Sequence, residues 1–130
     1  MNRAEFISLA EELYGEAPDH PFEKDQTIAV FRHSGNRKWF AVVMTVPKDK
    51  LGIKEDGTID IVNVKCAGEI IDSFRHERGI YPAYHMSKTH WLTIALDGTV
   101  NAETVRFLLG VSHELTRTKI RGRVSSERDR

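Results

Sequence analysis

The chain has one cysteine, Cys66, so no internal disulfide can form and the core alone must hold the fold. It has no apolar run near the roughly 18–20 residues that a bilayer span requires. Its first residues, Met-Asn-Arg-Ala-Glu-Phe, lack the apolar core and cleavage site of a secretion signal, and the expected location is cytoplasmic. Net charge is missing too. The 19 Lys and Arg balance 19 Asp and Glu, which argues against a domain dedicated to nucleic acid, because such domains carry a basic excess. No Gly-x-Ser-x-Gly, His-Glu-x-x-His, Cys-x-x-Cys or phosphate-cradling glycine loop occurs, and no repeat or low-complexity stretch. The residues point to no enzyme, and no cofactor is expected.

What is present fits one domain. With 130 residues the chain can bury roughly two thirds of its unfolded surface without staples. Phe6, Leu9, Ala10 and Leu13 recur at helical spacing and predict a first helix over about 3–14, stopped by Gly15. Strands are predicted from Thr27 to His33, Lys38 to Val46 and Thr58 to Lys65, with turns at Ser34-Gly35-Asn36 and Asp56-Gly57. Ala67, Ile70, Ile71 and Phe74 predict a second helix. Asn101 caps a third, with Val105, Leu108, Leu109 and Leu115 turned inward.

Between the last two helices lies the most informative stretch, residues 80–96. Its two halves are rich in aromatic and β-branched residues around a polar tip, Ser87-Lys88, which predicts a hairpin. A loop centred between those two residues sets His85 opposite His90, Tyr84 opposite Trp91 and Pro82 opposite Thr93. Alternation then places both histidines on one face and Tyr84 with Trp91 on the other. Leu92, Ile94 and Leu96 share the histidine face, so the helices should cover that side and the aromatics should look outward. The expected fold class is α+β: a two-layer domain of order α-β-β-β-α-β-β-α, with a mostly antiparallel sheet and its helices on one face.

These residues also resemble a known family. Tyr81-Pro82-Ala83-Tyr84-His85-Met86, Lys88, His90-Trp91 and Leu96-Asp97-Gly98 are similar to the signature of the MmcQ/YjbR family. Val30-Phe31-Arg32, Lys38-Trp39-Phe40-Ala41, Val62-Asn63-Val64-Lys65-Cys66 and Ser112 to Leu115 agree in order, so the resemblance spans about residues 3–116. It implies a small α/β domain of frataxin-like shape and a DNA-binding role, with no reaction attached. The tip departs from the family pattern: Ser87-Lys88-Thr89 stands where relatives often carry Asn and a second basic residue. That departure weakens the phosphate contact the resemblance would lend to the tip.

Three chemistries compete for the candidate residues. The aromatic set reads as a surface: Trp91, Tyr84 and Trp39 beside Lys88, Arg37, Lys38 and Lys65 would offer stacking platforms bordered by cations. The two hairpin tips would touch phosphates like wings. Ordinary sheet packing is the plain alternative. A second reading gives the same aromatic face to a protein partner or a second copy. A third takes His85 and His90, about 5 Å apart across strands, as half a metal site completed by Cys66, His113 or Glu114. Cys66 continues the Val62, Val64 alternation and reads as a buried filler rather than a nucleophile. The leading expectation is a non-enzymatic DNA-binding module over residues 1–116 using Arg37, Lys38, Trp39, Lys65, Tyr84, Lys88 and Trp91. Residues 117–130 are expected to be a basic, flexible tail with Arg117, Lys119, Arg121, Arg123, Arg128 and Arg130.

Overall fold

Side-chain caps fix the first helix. The Asn2 carboxamide accepts the Glu5 N–H at 2.9 Å and the Glu5 carboxylate accepts the Asn2 N–H at 2.8 Å, a reciprocal capping box. Helix α1 (Arg3–Tyr14) then ends on Gly15, whose φ of 76° suits a residue without Cβ. Strands β1 (Ala29–Arg32), β2 (Trp39–Pro47) and β3 (Thr58–Lys65) follow, with a 3-10 turn (Lys48–Leu51) between the last two. Helix α2 (Gly68–Phe74), strands β4 (Ile80–Pro82) and β5 (Trp91–Ala95), and helix α3 (Ala102–Arg117) complete the chain. This computed structural model describes residues 1–117, so the predicted basic tail lies outside the described residues except for Arg117.

The order is the expected α-β-β-β-α-β-β-α. The five strands form one sheet in the order β1-β2-β3-β5-β4, and every neighbouring pair is antiparallel. Cross-strand rows explain the core. Ala29, Val43, Val62, Ile94 and Ile80 make one row, and Phe31, Ala41, Val64 and Leu92 make the next. Phe6 and Ala10 of α1 and Val105, Leu108 and Leu109 of α3 close over those rows, with Ile70, Ile71 and Phe74 of α2 at the margin. Each large side chain sealed there contributes about 1.5–3 kcal/mol.

The parity of β2, left open by its uniformly apolar sequence, is settled by a bulge. Phe31 pairs with Ala41 but Arg32 pairs with Trp39, so Phe40 is an extra residue. Phe40 and Ala41 therefore both reach the helix side, and Trp39 is turned to the opposite face beside Arg32.

Two expectations are corrected. The hairpin register is one residue off: Pro82 pairs with Leu92 rather than Thr93, and pairing ends there, leaving residues 83–90 as a loop. The symmetric register would set Ile80 opposite Ala95 and turn it from the helices, whereas the observed register buries Ile80 at 5% exposure in the main core. Leu115 is the second correction. The buried stripe of α3 runs Val105, Leu108, Leu109, Ser112 and Thr116, and Leu115 falls outside it at 45% exposure.

The sheet face away from the helices is only partly open. At one end Val46, Ile59, Ile61 and Ala95 are covered by Leu51 and Ile53 and by Tyr81 and Tyr84. At the other end lie Trp39, Lys65 and Trp91.

Candidate nucleic-acid interface

The register gathers that second end. Lys65 pairs with Trp91, and its neighbour Val64 pairs with Ala41, two residues beyond Trp39. An indole thus stands on each side of the Lys65 strand, and both indoles are half-buried. The Trp39 ring carries the Arg32 guanidinium 5.8 Å from its centroid, and it meets Phe22 in a T-shaped pair with ring centroids 6.0 Å apart. The sequence alone groups Arg32 with His33, Arg37 and Lys38 as a basic cluster close to Trp39, but it gives no sign of Phe22.

The β1–β2 tip continues this end of the sheet. His33 C=O accepts the Arg37 N–H at 2.9 Å, and the Asn36 side-chain oxygen accepts the Lys38 N–H at 2.9 Å. Arg37 takes a left-handed φ of 66° to close the turn. The Asn36 amide donates to the Thr116 C=O at 2.8 Å, which ties the tip to the last turn of α3. Arg37 and Lys38 are exposed. Asp19 moderates the charge: it pairs with Arg32 at 2.6 Å and stands 3.9 Å from Arg37. Among the described residues no carboxylate lies within ion-pair distance of Lys38 or Lys65.

Tyr84 and Lys88 are placed elsewhere. Tyr84 leaves the strand, and its backbone is clamped from below: its N–H donates to Thr93 Oγ1 and its C=O accepts from Asn63 Nδ2, both at 2.9 Å. Its ring stacks on His85 at 4.0 Å and packs on the covered end of the face. The Tyr84–Trp91 pair is not formed, because both members would have to lie in paired strand and β4 stops at Pro82. Lys88 curls back to donate to the Ala83 C=O at 2.8 Å. It also borders a groove of about 610 Å³ on the helix side, floored by Ile71, Pro82 and Leu92. The cross-strand His85–His90 pair fails for the same reason as the aromatic pair: His85 has a left-handed φ of 58°, and the His90 N–H turns to Ser87 O.

Cys66 is sealed at 2% exposure, and burial pushes its thiol up to about 12. Such a thiol is protonated at neutral pH and a poor nucleophile. We expect no reaction with a thiol-specific dye in the native protein and full reaction once urea unfolds it. Labelling before unfolding would show that the strand end opens.

A ring cluster that the sequence did not announce joins the tip to the helices. His113 of α3 stacks on Tyr14 at 3.7 Å and approaches His33 at 4.4 Å, while His33 Nε2 is 2.8 Å from Thr116 Oγ1. Burial, then the neighbouring His33, pushes His113 down to about 4; burial also lowers His33. Both rings are held neutral, so the unfolded chain binds more protons. Their contribution is complete above the ordinary histidine value of 6.5 and is lost as pH falls towards about 4. Allowing for solvent screening of partly exposed rings, we expect a loss of about 1–2 kcal/mol over that window. His113→Phe should flatten the urea-midpoint profile between those pH values, and an unchanged profile would assign acid lability to other groups.

Comparison with known proteins places these features in context. The YjbR family model matches residues 11–115. The uncharacterized protein YyaQ of Bacillus subtilis (strain 168) is 39% identical over 117 residues, covering 90% of this chain and 99% of YyaQ. The crystal structure of a structural-genomics target from Pseudomonas syringae superposes with a TM-score of 0.88 at 46% identity, over 90% of this chain and all (100%) of the other. Protein DR2400 of Deinococcus radiodurans superposes with a TM-score of 0.67 at 29% identity, over 91% of this chain and 80% of its own.

Proposed function

The chain belongs to the YjbR family, and on that premise we propose that it is a non-enzymatic DNA-binding module whose contact surface is the Trp39–Lys65–Trp91 end of the sheet with the Arg37–Lys38 tip. The pairing of Lys65 with Trp91 carries this reading. It sets a cation and a stacking surface on adjacent strands, the combination that engages a phosphate and the base or sugar beside it. Neutral overall charge is compatible with this role, because Lys38 and Lys65 lie towards the same end of the sheet while Asp19 takes up Arg32. Tyr84 drops out of the contact surface, and Lys88 contributes from the second loop only if it leaves the Ala83 carbonyl.

Arg37, Lys38 and Lys65 would displace counterions at about three phosphates, so log K should fall against log salt with a slope of about −3. Trp91→Ala should weaken binding by about 1–3 kcal/mol through lost stacking. Lys38→Glu with Lys65→Glu should abolish it. Fluorescence anisotropy with labelled single- and double-stranded oligonucleotides at low salt tests all three. No binding of either oligonucleotide would end the proposal, as would binding that the double charge reversal leaves unchanged.

A second reading, a protein partner on the same face, draws support from Phe22. At 39% exposure beside Trp39 it extends the apolar surface beyond what a phosphate contact needs. Phe22→Ser separates the two readings, because it should leave an oligonucleotide bound and release a peptide or protein.

A further inference from the structure

The outward side of α3 has a pattern that matches itself in reverse. Phe107 and Leu115, at 50% and 45% exposure, lie off the buried stripe of that helix. Beside them Glu103, Arg106, Phe107, Gly110, Val111 and Glu114 line an open trough of about 630 Å³. A Cβ built on Gly110 would meet nothing within 4 Å, so the backbone there is open to close approach. The charges run Glu103, Arg106, Glu114, Arg117, and they invert about Gly110: acid seven residues before and base seven after, base four before and acid four after.

We propose that this face is an isologous contact between two copies of the chain, with their α3 helices antiparallel and crossing at Gly110. A two-fold axis through Gly110 sets Glu103 level with Arg117 of the second copy and Arg106 level with Glu114 of the second copy. Every charge on the face thereby meets its opposite, a match that an unrelated partner would reach only by coincidence. Glycine at the crossing lets the backbones approach, and Phe107 and Val111 supply apolar area alongside. The Glu114–Arg117 pair within the helix, at 2.7 Å, is exposed, so little is lost when those groups are shared with a second copy. α3 packs on the helix side of the sheet, so both Trp39–Lys65–Trp91 ends stay uncovered. The contact stands independently of the DNA reading.

Sedimentation velocity of the full chain over a concentration series tests it. Wild type should shift from one to two chain masses as concentration rises. Gly110→Glu sets two carboxylates on the axis and should raise the dissociation constant about tenfold or more. It also replaces glycine by a better helix former, so folding is not at risk. Arg106→Glu should weaken the dimer, and Arg106→Glu with Glu114→Arg should restore it. A wild-type chain that stays at one mass at its solubility limit would overturn the proposal. So would a dimer that Gly110→Glu leaves intact or that Trp91→Ala dissolves instead.

Discussion

Thr93→Val is expected to lower folding stability by about 2–4 kcal/mol and to speed hydrogen exchange across residues 83–90. Thr93 and Asn63 are both fully buried, at 0% exposure, on adjacent central strands. The Thr93 hydroxyl donates to Asn63 Oδ1 and accepts the Tyr84 N–H, while Asn63 Nδ2 donates to the Tyr84 C=O. Three residues thus close a ring of hydrogen bonds that holds both backbone polar groups of Tyr84. Valine keeps the branched shape and the strand preference, so no cavity forms and the loss is that of the hydroxyl. It strands a buried carboxamide oxygen and an amide hydrogen, each costing about 1–3 kcal/mol. Urea denaturation should show a lower midpoint at an unchanged slope. Asn63→Leu added to Thr93→Val should cost less than the two singles together, since removing both partners leaves fewer stranded groups. A change below about 0.5 kcal/mol in Thr93→Val would mean that water or loop movement satisfies those groups and that the ring is not what holds the loop.

That ring marks where sequence reasoning stops. Elements with strong periodicity were legible: α1 from its spacing and Gly15, β3 over Thr58 to Lys65, the Asn101 cap, whose side chain accepts the Thr104 N–H at 2.8 Å, and the burial of Leu92, Ile94 and Cys66. Membership of the family was legible too, because its marker residues sit in order along the chain. The loop at 83–90 was not. Its conformation is set by Asn63, twenty-one residues upstream of Tyr84, and by the demand that Ile80 face the helices, and neither constraint is local. Two polar residues in apolar strands, Asn63 and Thr93, were the available signal, since a buried amide requires partners. The bulge at Phe40 was equally hidden. Both faces of β2 are apolar, so the sequence could not tell which of Trp39 and Phe40 faced the helices. The place of Trp39 in the candidate surface depended on that answer.

Ser112→Ala is expected to cost about 2–4 kcal/mol, more than a hydroxyl on a helix ordinarily contributes, because of what the bulge leaves unpaired. Regular pairing of β2 with β3 ends at Ala41 and Val64, so the Phe40 C=O and the Lys65 N–H lie past the last regular pair. Ser112, at 0% exposure, fills the gap: its hydroxyl donates to Phe40 O at 2.6 Å and accepts from Lys65 N at 2.8 Å. One side chain of α3 thereby stands in for a missing rung of the sheet beneath the Trp39–Lys65–Trp91 end. Alanine removes the hydroxyl with little change of volume and leaves the buried Phe40 C=O and the part-buried Lys65 N–H without partners. The two strands cannot simply close, because Phe40 is held inward by Tyr14 at 5.4 Å and by His113 at 4.9 Å. Loss of the bridge should also let the Lys65 backbone drift relative to Trp91. Any oligonucleotide affinity should therefore fall more steeply in Ser112→Ala than in an equally destabilised core variant such as Leu108→Ala. Equal losses in the two would reduce Ser112 to a purely structural bond, and a stability change under about 0.5 kcal/mol would show that the strands pair directly once the hydroxyl is gone.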